Sequence, residues 1–134
     1  MEPTAGTGSR PSQGPVRQIS AVTLHSSDMA EAVRFYEACG FRLLAGGPDA
    51  AFSTFEVGGG YLNVQLRPDQ ARPVAVWGRI VFWVDDVDRQ YRRVIAAGYR
   101  PATSPADAPW GERYFHVRDP DGHEVSFARP LPSR

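Results

Sequence analysis

Asp28-Met-Ala-Glu-Ala-Val-Arg-Phe-Tyr-Glu-Ala-Cys-Gly-Phe41 is the stretch that decides the fold, because it returns 58 residues later as Asp86-Val-Asp-Arg-Gln-Tyr-Arg-Arg-Val-Ile-Ala-Ala-Gly-Tyr99. Each opens on an aspartate, whose short carboxylate caps the first free N–H groups of a helix, and each closes on a glycine that takes the left-handed C-terminal position. Glu31 stands where a capping box wants its acidic partner. Repetition at a fixed offset implies two copies of one supersecondary unit.

Reading outward, Ile19 to His25 is rich in β-branched residues and forms a strand leading into the first helix. Phe41–Ala45, Ala51–Val57 and Tyr61–Leu66 follow as short strands, separated by Gly46-Gly-Pro-Asp49 and Gly58-Gly-Gly60. After a Pro-containing connector, Gln70–Val76, the second copy reads as strands Arg79–Val84, Tyr99–Thr103, Tyr114–Arg118 and Glu124–Ala128. The tight turn Asp119-Pro-Asp-Gly122 divides the last two. Gly60 to Pro68 and Gly122 to Pro130 have equal lengths and the same Arg-Pro ending. The fold class is α+β: tandem βαβββ units forming a curled mixed sheet around a cavity, with helices on the convex face.

A chain of 134 residues holds one domain with a sizeable core. Residues 1–16 are mostly small or polar and form a flexible arm; 17–134 form the domain, with units at about 17–68 and 77–130. Fifteen basic residues balance fifteen acidic ones, which gives no general attraction to nucleic acid or an acidic membrane. The lone cysteine, Cys39, cannot make an internal disulfide, and no apolar run approaches a membrane span or signal-peptide core. The expected location is cytoplasmic. Cys39 reads as a small core residue at a helix end rather than a nucleophile.

The chain resembles the vicinal oxygen chelate superfamily, which includes glyoxalase I, bleomycin-resistance proteins, fosfomycin-resistance enzymes and extradiol dioxygenases. The resemblance is carried by Asp28, Phe35-Tyr36 and Gly40-Phe41, then by Val84-Asp85-Asp86-Val87, Ala97-Gly98-Tyr99, Trp110-Gly111 and Asp119-Pro120-Asp121-Gly122. It spans residues 17 to 130 and implies paired units that enclose a cavity, commonly in a homodimer. A homodimer is therefore expected here.

Successive strand side chains point to opposite faces. Alternation turns Ala21, Thr23 and His25, Asn63 and Gln65, Arg79, Val81 and Trp83, and Glu124, Ser126 and Ala128 toward the cavity, with Thr54, Glu56, Tyr114 and His116 joining them by the same parity. The resemblance implies a divalent metal held by His, Glu or Gln. At its positions, however, stand Ala21, Arg79 and Ser126, with Gln65 at the fourth. Alanine has no donor atom, arginine repels a cation, and a lone serine is a poor ligand. The expectation is no metal and no cofactor. A relocated ligand set of His25, His116, Glu56 and Glu124 lacks the spacing of a ligand motif, and His123, beside a turn glycine, is expected to be solvated.

Losing the metal removes the Lewis acid on which glyoxalase, fosfomycin-modifying and extradiol chemistry depends. A small-molecule ligand is then the expected partner, bound through His25, Phe52, Gln65, Arg79, Trp83, Trp110, Tyr114 and Ser126. Aromatic walls with a few polar anchors suit such recognition. Arg79 needs a partner within its apolar strand, either Glu56 or Glu124 or an anionic ligand group. The first reading is a metal-independent binder of an aromatic or amphipathic molecule, antibiotics included. The alternative is a metal-free isomerase, cyclase or lyase using His25, His116, Glu56 or Glu124 as acid or base.

Overall fold

A computed structural model describes residues 14–132. The expected arm lies outside the described residues up to residue 13, and residues 14–20 are exposed and carry no helix or strand. The elements run β1 (Ala21–Ser26), α1 (Met29–Ala38), β2 (Arg42–Ala45), β3 (Phe52–Val57), β4 (Gly60–Leu66), β5 (Arg79–Trp83), α2 (Val87–Ala96), β6 (Ala106–Ala108), β7 (Glu112–Arg118) and β8 (Glu124–Pro130). The tandem βαβββ units are present, each with its own four-stranded mixed sheet, ordered β1-β4-β3-β2 and β5-β8-β7-β6. None of the helices among the described residues is long and apolar enough to cross a membrane.

Both helices begin and end in the same way. The N-cap backbones of Asp28 and Asp86 are extended, at φ −147° and −146°, and each carboxylate accepts the N–H three residues on, from Glu31 and Arg89. Gly40 and Gly98 take φ of +98° and +94°, which lets Phe41 N–H reach Tyr36 O and Tyr99 N–H reach Val94 O. The return half of the capping box is replaced. Ser26 Oγ accepts the Asp28 N–H, and the Glu31 carboxylate pairs with Arg72.

In the first unit, α1 buries Met29, Ala32, Val33, Phe35 and Tyr36. Tyr36 meets Phe55 of β3, so the helix covers the face that carries Phe55, Leu62 and Val64. In the second unit, Tyr91 of α2 meets Phe115 edge-on, and Phe115, Val117, Val125 and Phe127 are buried on that face. Each such side chain contributes about 1.5–3 kcal/mol when removed from water.

The expected strand at Tyr99–Thr103 is absent, and the edge strand forms instead at Ala106–Ala108, paired to Glu112–Tyr114. Pro101 and Pro105 lack the N–H that a ladder needs, so the stretch meets β7 through the N–H groups of Ala102 and Thr103 on His116 O and through Thr103 Oγ1, which accepts the His116 N–H, before pairing resumes after Pro105. Arg113 then holds the short edge strand, donating to both oxygens of Asp88 and to Asp107.

The strand exits are slipped relative to the sequence likeness. Ala21 pairs with Tyr61, whereas Arg79, its repeat partner, pairs with Glu124. Matching Gly60 to Gly122 would instead align Tyr61 with His123, on the wrong face. The extra residue lies in the Asp119–His123 turn, and that turn packs with the first unit, Gln18–Trp77.

The turn is a polar staple. Asp119 accepts from Tyr36 Oη at 2.6 Å and from the N–H groups of Asp121 and His123. Asp121 Oδ1 accepts from Ser27 N–H and from Arg72 Nε, both at 2.9 Å. Burial pushes the Asp119 carboxyl above the usual carboxylate range, opposed by the Tyr36 bond, and burial with the nearby Asp119 charge pushes the Tyr36 phenol well up. His123 is buried, contrary to the expected solvation. Its Nδ1 accepts from Trp77 Nε1 at 2.8 Å, which leaves Nε2–H to donate to His25 O, also at 2.8 Å.

Candidate functional site: two strand faces turned away from the helices

Strand register converts each helix-free face into rows of three residues. In the second unit the rows across β5, β8 and β7 are Arg79–Glu124–Arg118, Val81–Ser126–His116 and Trp83–Ala128–Tyr114. The equivalent rows across β1, β4 and β3 in the first unit are Ala21–Tyr61–Glu56, Thr23–Asn63–Thr54 and His25–Gln65–Phe52. All fifteen residues assigned to one face by alternation stand in these rows. Three others do too: Tyr61, Phe52 and Arg118.

The second unit's face has a narrow middle and bulky flanks. Ser126 and Ala128, on the central strand, are buried, while Val81 and Trp83 on one side are 55% and 51% exposed. Trp110 stacks on Tyr114 with ring centroids 6.0 Å apart and planes at 23°, and its Nε1 donates to Glu112. Tyr114 continues into His116 at 5.0 Å. Five of the candidate ligand-binding residues, Arg79, Trp83, Trp110, Tyr114 and Ser126, therefore belong to one surface.

At one end of that surface, Glu124 lies between two guanidiniums, 2.9 Å from Arg79 and 3.6 Å from Arg118. Arg79 thus takes Glu124 as its partner, and Glu56 pairs with Arg42 at 2.9 Å. In the next row, His116 Nδ1 lies 2.6 Å from Ser126 Oγ. Burial, the Arg79 charge behind it, lowers the proton affinity of His116 below its usual value, with Glu124 opposing. The imidazole is neutral at neutral pH, as a proton acceptor must be.

The first unit's face is more polar. Thr54 Oγ1 donates to Asn63 Oδ1, and Asn63 Nδ2 donates to Thr23 Oγ1, forming a hydrogen-bonded row across three strands. His25, Gln65 and Phe52, the other three candidates, form the row beside it. Behind that row, the chain from Trp77 through His123 fixes the His25 carbonyl. Sequence reading missed this backing, since nothing in the spacing of Trp77 and His123 marks them as neighbours. Arg118 was within reach, being two residues along the strand from His116 and so of the same parity.

These residues do not make the metal site that the resemblance implies. Ala21 offers no donor, Arg79 is ion-paired, and Ser126 is bonded to His116. Register also puts Asn63, not Gln65, at the position equivalent to Ser126, and its amide is occupied by two threonines. In the relocated set both carboxylates are bound by arginines, and His25 and Glu56 lie two rows apart, about 13 Å along the strands. Among the described residues, no three His, Cys, Asp or Glu side chains gather as a ligand cluster.

A family model described as the Glyoxalase/Bleomycin resistance protein/Dioxygenase superfamily matches residues 18–127. Among solved structures, TioX from Micromonospora sp. ML1 is 31% identical, with 85% of this chain and 99% of that one covered at a TM-score of 0.69. A bleomycin-binding protein, solved in complex with bleomycin, is 25% identical over 85% of this chain and 98% of its own, at 0.66. An uncharacterized protein of Mycobacterium tuberculosis is 42% identical over 48 residues, which span 36% of this chain and 28% of that relative. The matched stretch is thus under a third of that relative's length.

Proposed function

The chain belongs to the Glyoxalase/Bleomycin resistance protein/Dioxygenase superfamily, and from that premise we propose that it binds an aromatic or amphipathic small molecule, antibiotics among them, without a metal. One observation carries the proposal. Half-exposed Trp83 and Trp110, with Tyr114, flank the small side chains of Ser126 and Ala128, while charged groups are gathered at one end of the same face. Apolar walls with a few placed polar groups are what small-ligand recognition requires. The bleomycin-binding neighbour supports a binding role. His25, Gln65 and Phe52 contribute a second, more polar patch in this reading. The protein is further proposed to be a cytoplasmic homodimer.

The test is tryptophan fluorescence of chelator-treated protein, titrated with a panel of aromatic antibiotics and anionic metabolites, with product analysis of each hit. Saturable quenching with the compound recovered intact is the expected result. Trp83→Phe should weaken it by about fivefold to tenfold, the equivalent of an aromatic contact of about 1 kcal/mol or slightly more. Absence of quenching across the panel would sink the binding proposal.

A second reading is favoured by the 2.6 Å contact between His116 and Ser126. A neutral imidazole held by a hydroxyl can act as general base toward a bound carbonyl or phenol, giving an isomerase, cyclase or lyase step. Turnover of a hit that is lost in His116→Ala but kept in His25→Ala would favour this reading over simple binding.

A further inference from the structure

The charged row at the end of the second unit's face does not balance. Arg79 and Arg118 share a single carboxylate, Glu124, and among the described residues neither guanidinium has another carboxylate partner. One positive charge therefore remains uncompensated. In the neighbouring row His116 holds its proton less tightly than usual, through burial first and then through the Arg79 charge, which outweighs that of Glu124. The guanidiniums of Arg79 and Arg118 supply fixed positive charge and offer paired N–H donors suited to a carboxylate, sulfonate or phosphate.

The aromatic side chains begin two rows away. Arg79 and Trp83 are four residues apart on one strand, about 13 Å between backbones, with Val81 and His116 between them. That separation is of the order of a planar group of one or two fused rings that bears an acid at one end.

We propose that Arg79 and Arg118 form an anion subsite, so that the ligand is an aromatic acid whose ring lies against Trp83 and Tyr114. Glu124 sets the strength of this subsite. It holds both guanidiniums in place and offsets part of their charge, which limits how tightly an anion is held. The inference rests on the aromatic-binding reading of the same face.

The experiment compares naphthoate with naphthamide, which share ring and shape and differ in charge, by calorimetric and fluorescence titration of the full chain at low salt. Naphthoate should bind at least about tenfold more tightly than naphthamide, the worth of one charge-assisted hydrogen bond. That preference should shrink as salt is added, because both arginines are partly exposed. Glu124→Gln, which removes the carboxylate that both guanidiniums share, should widen the preference for naphthoate over naphthamide, and Arg79→Gln should abolish it. Equal binding of both probes to the unaltered protein would overturn the anion subsite and leave the aromatic site standing. Failure of both probes to perturb the tryptophans would overturn the two together. The comparison on the unaltered protein decides the matter even if a variant fails to fold.

Discussion

His116 is the residue at which the site's electrostatics become measurable. Its folded form holds a proton less tightly than the unfolded form, whose value is near 6.5, because it is partly buried and faces Arg79. The stability this contributes is complete above about pH 6.5 and is lost as pH falls through the lower folded value. Other groups titrate in the same range, so a variant isolates the effect. Between pH 7 and pH 5 the thermal midpoint should fall further for the unaltered protein than for His116→Gln, whose amide can still bond Ser126 but cannot gain a proton. Equal falls would mean that His116 exchanges protons as freely as it would in the unfolded chain. The residue's orientation was legible in the sequence, since alternation alone puts it on the face with Tyr114. Its bond to Ser126 was not, because that depends on β7 pairing with β8 in one register.

At the scale of elements, the two helices show how far repetition goes. Asp28 and Asp86 cap with nearly the same backbone angles and the same N–H target. Asp28→Ala and Asp86→Ala should each cost about 1 kcal/mol in urea denaturation. A cost at one and none at the other would show that the copies share geometry without sharing energetics. The caps and closing glycines were readable because they depend on a few adjacent residues. The edge strand was not. Tyr99–Thr103 has a plausible strand composition, yet Pro101 and Pro105 interrupt its donors and move the pairing to Ala106–Ala108. The likeness of the Arg-Pro endings was a false guide for a related reason. A strand's register is set by its partner, and one extra turn residue in the second copy displaced the match without altering the motif.

For the whole molecule, the proposed homodimer predicts a sedimenting species of twice the chain mass at micromolar concentration. A monomer there would overturn it. The repeat made the two βαβββ units and their helices legible in the sequence, whereas the burial of His123 and the pairing of Asp121 with Ser27 join residues more than ninety positions apart, which local patterns cannot reveal. The turn that carries them also fixes an order of events during synthesis. When the ribosome has delivered the chain through Trp77, the first helix and sheet are all present, but the Tyr36 hydroxyl and the Trp77 indole still lack the acceptors they have in the finished protein. Until translation reaches His123, some forty-six codons later, the first copy lacks the turn that packs on it, and a gene cut between the repeats would leave the Tyr36 and Trp77 donors to water in place of Asp119 and His123.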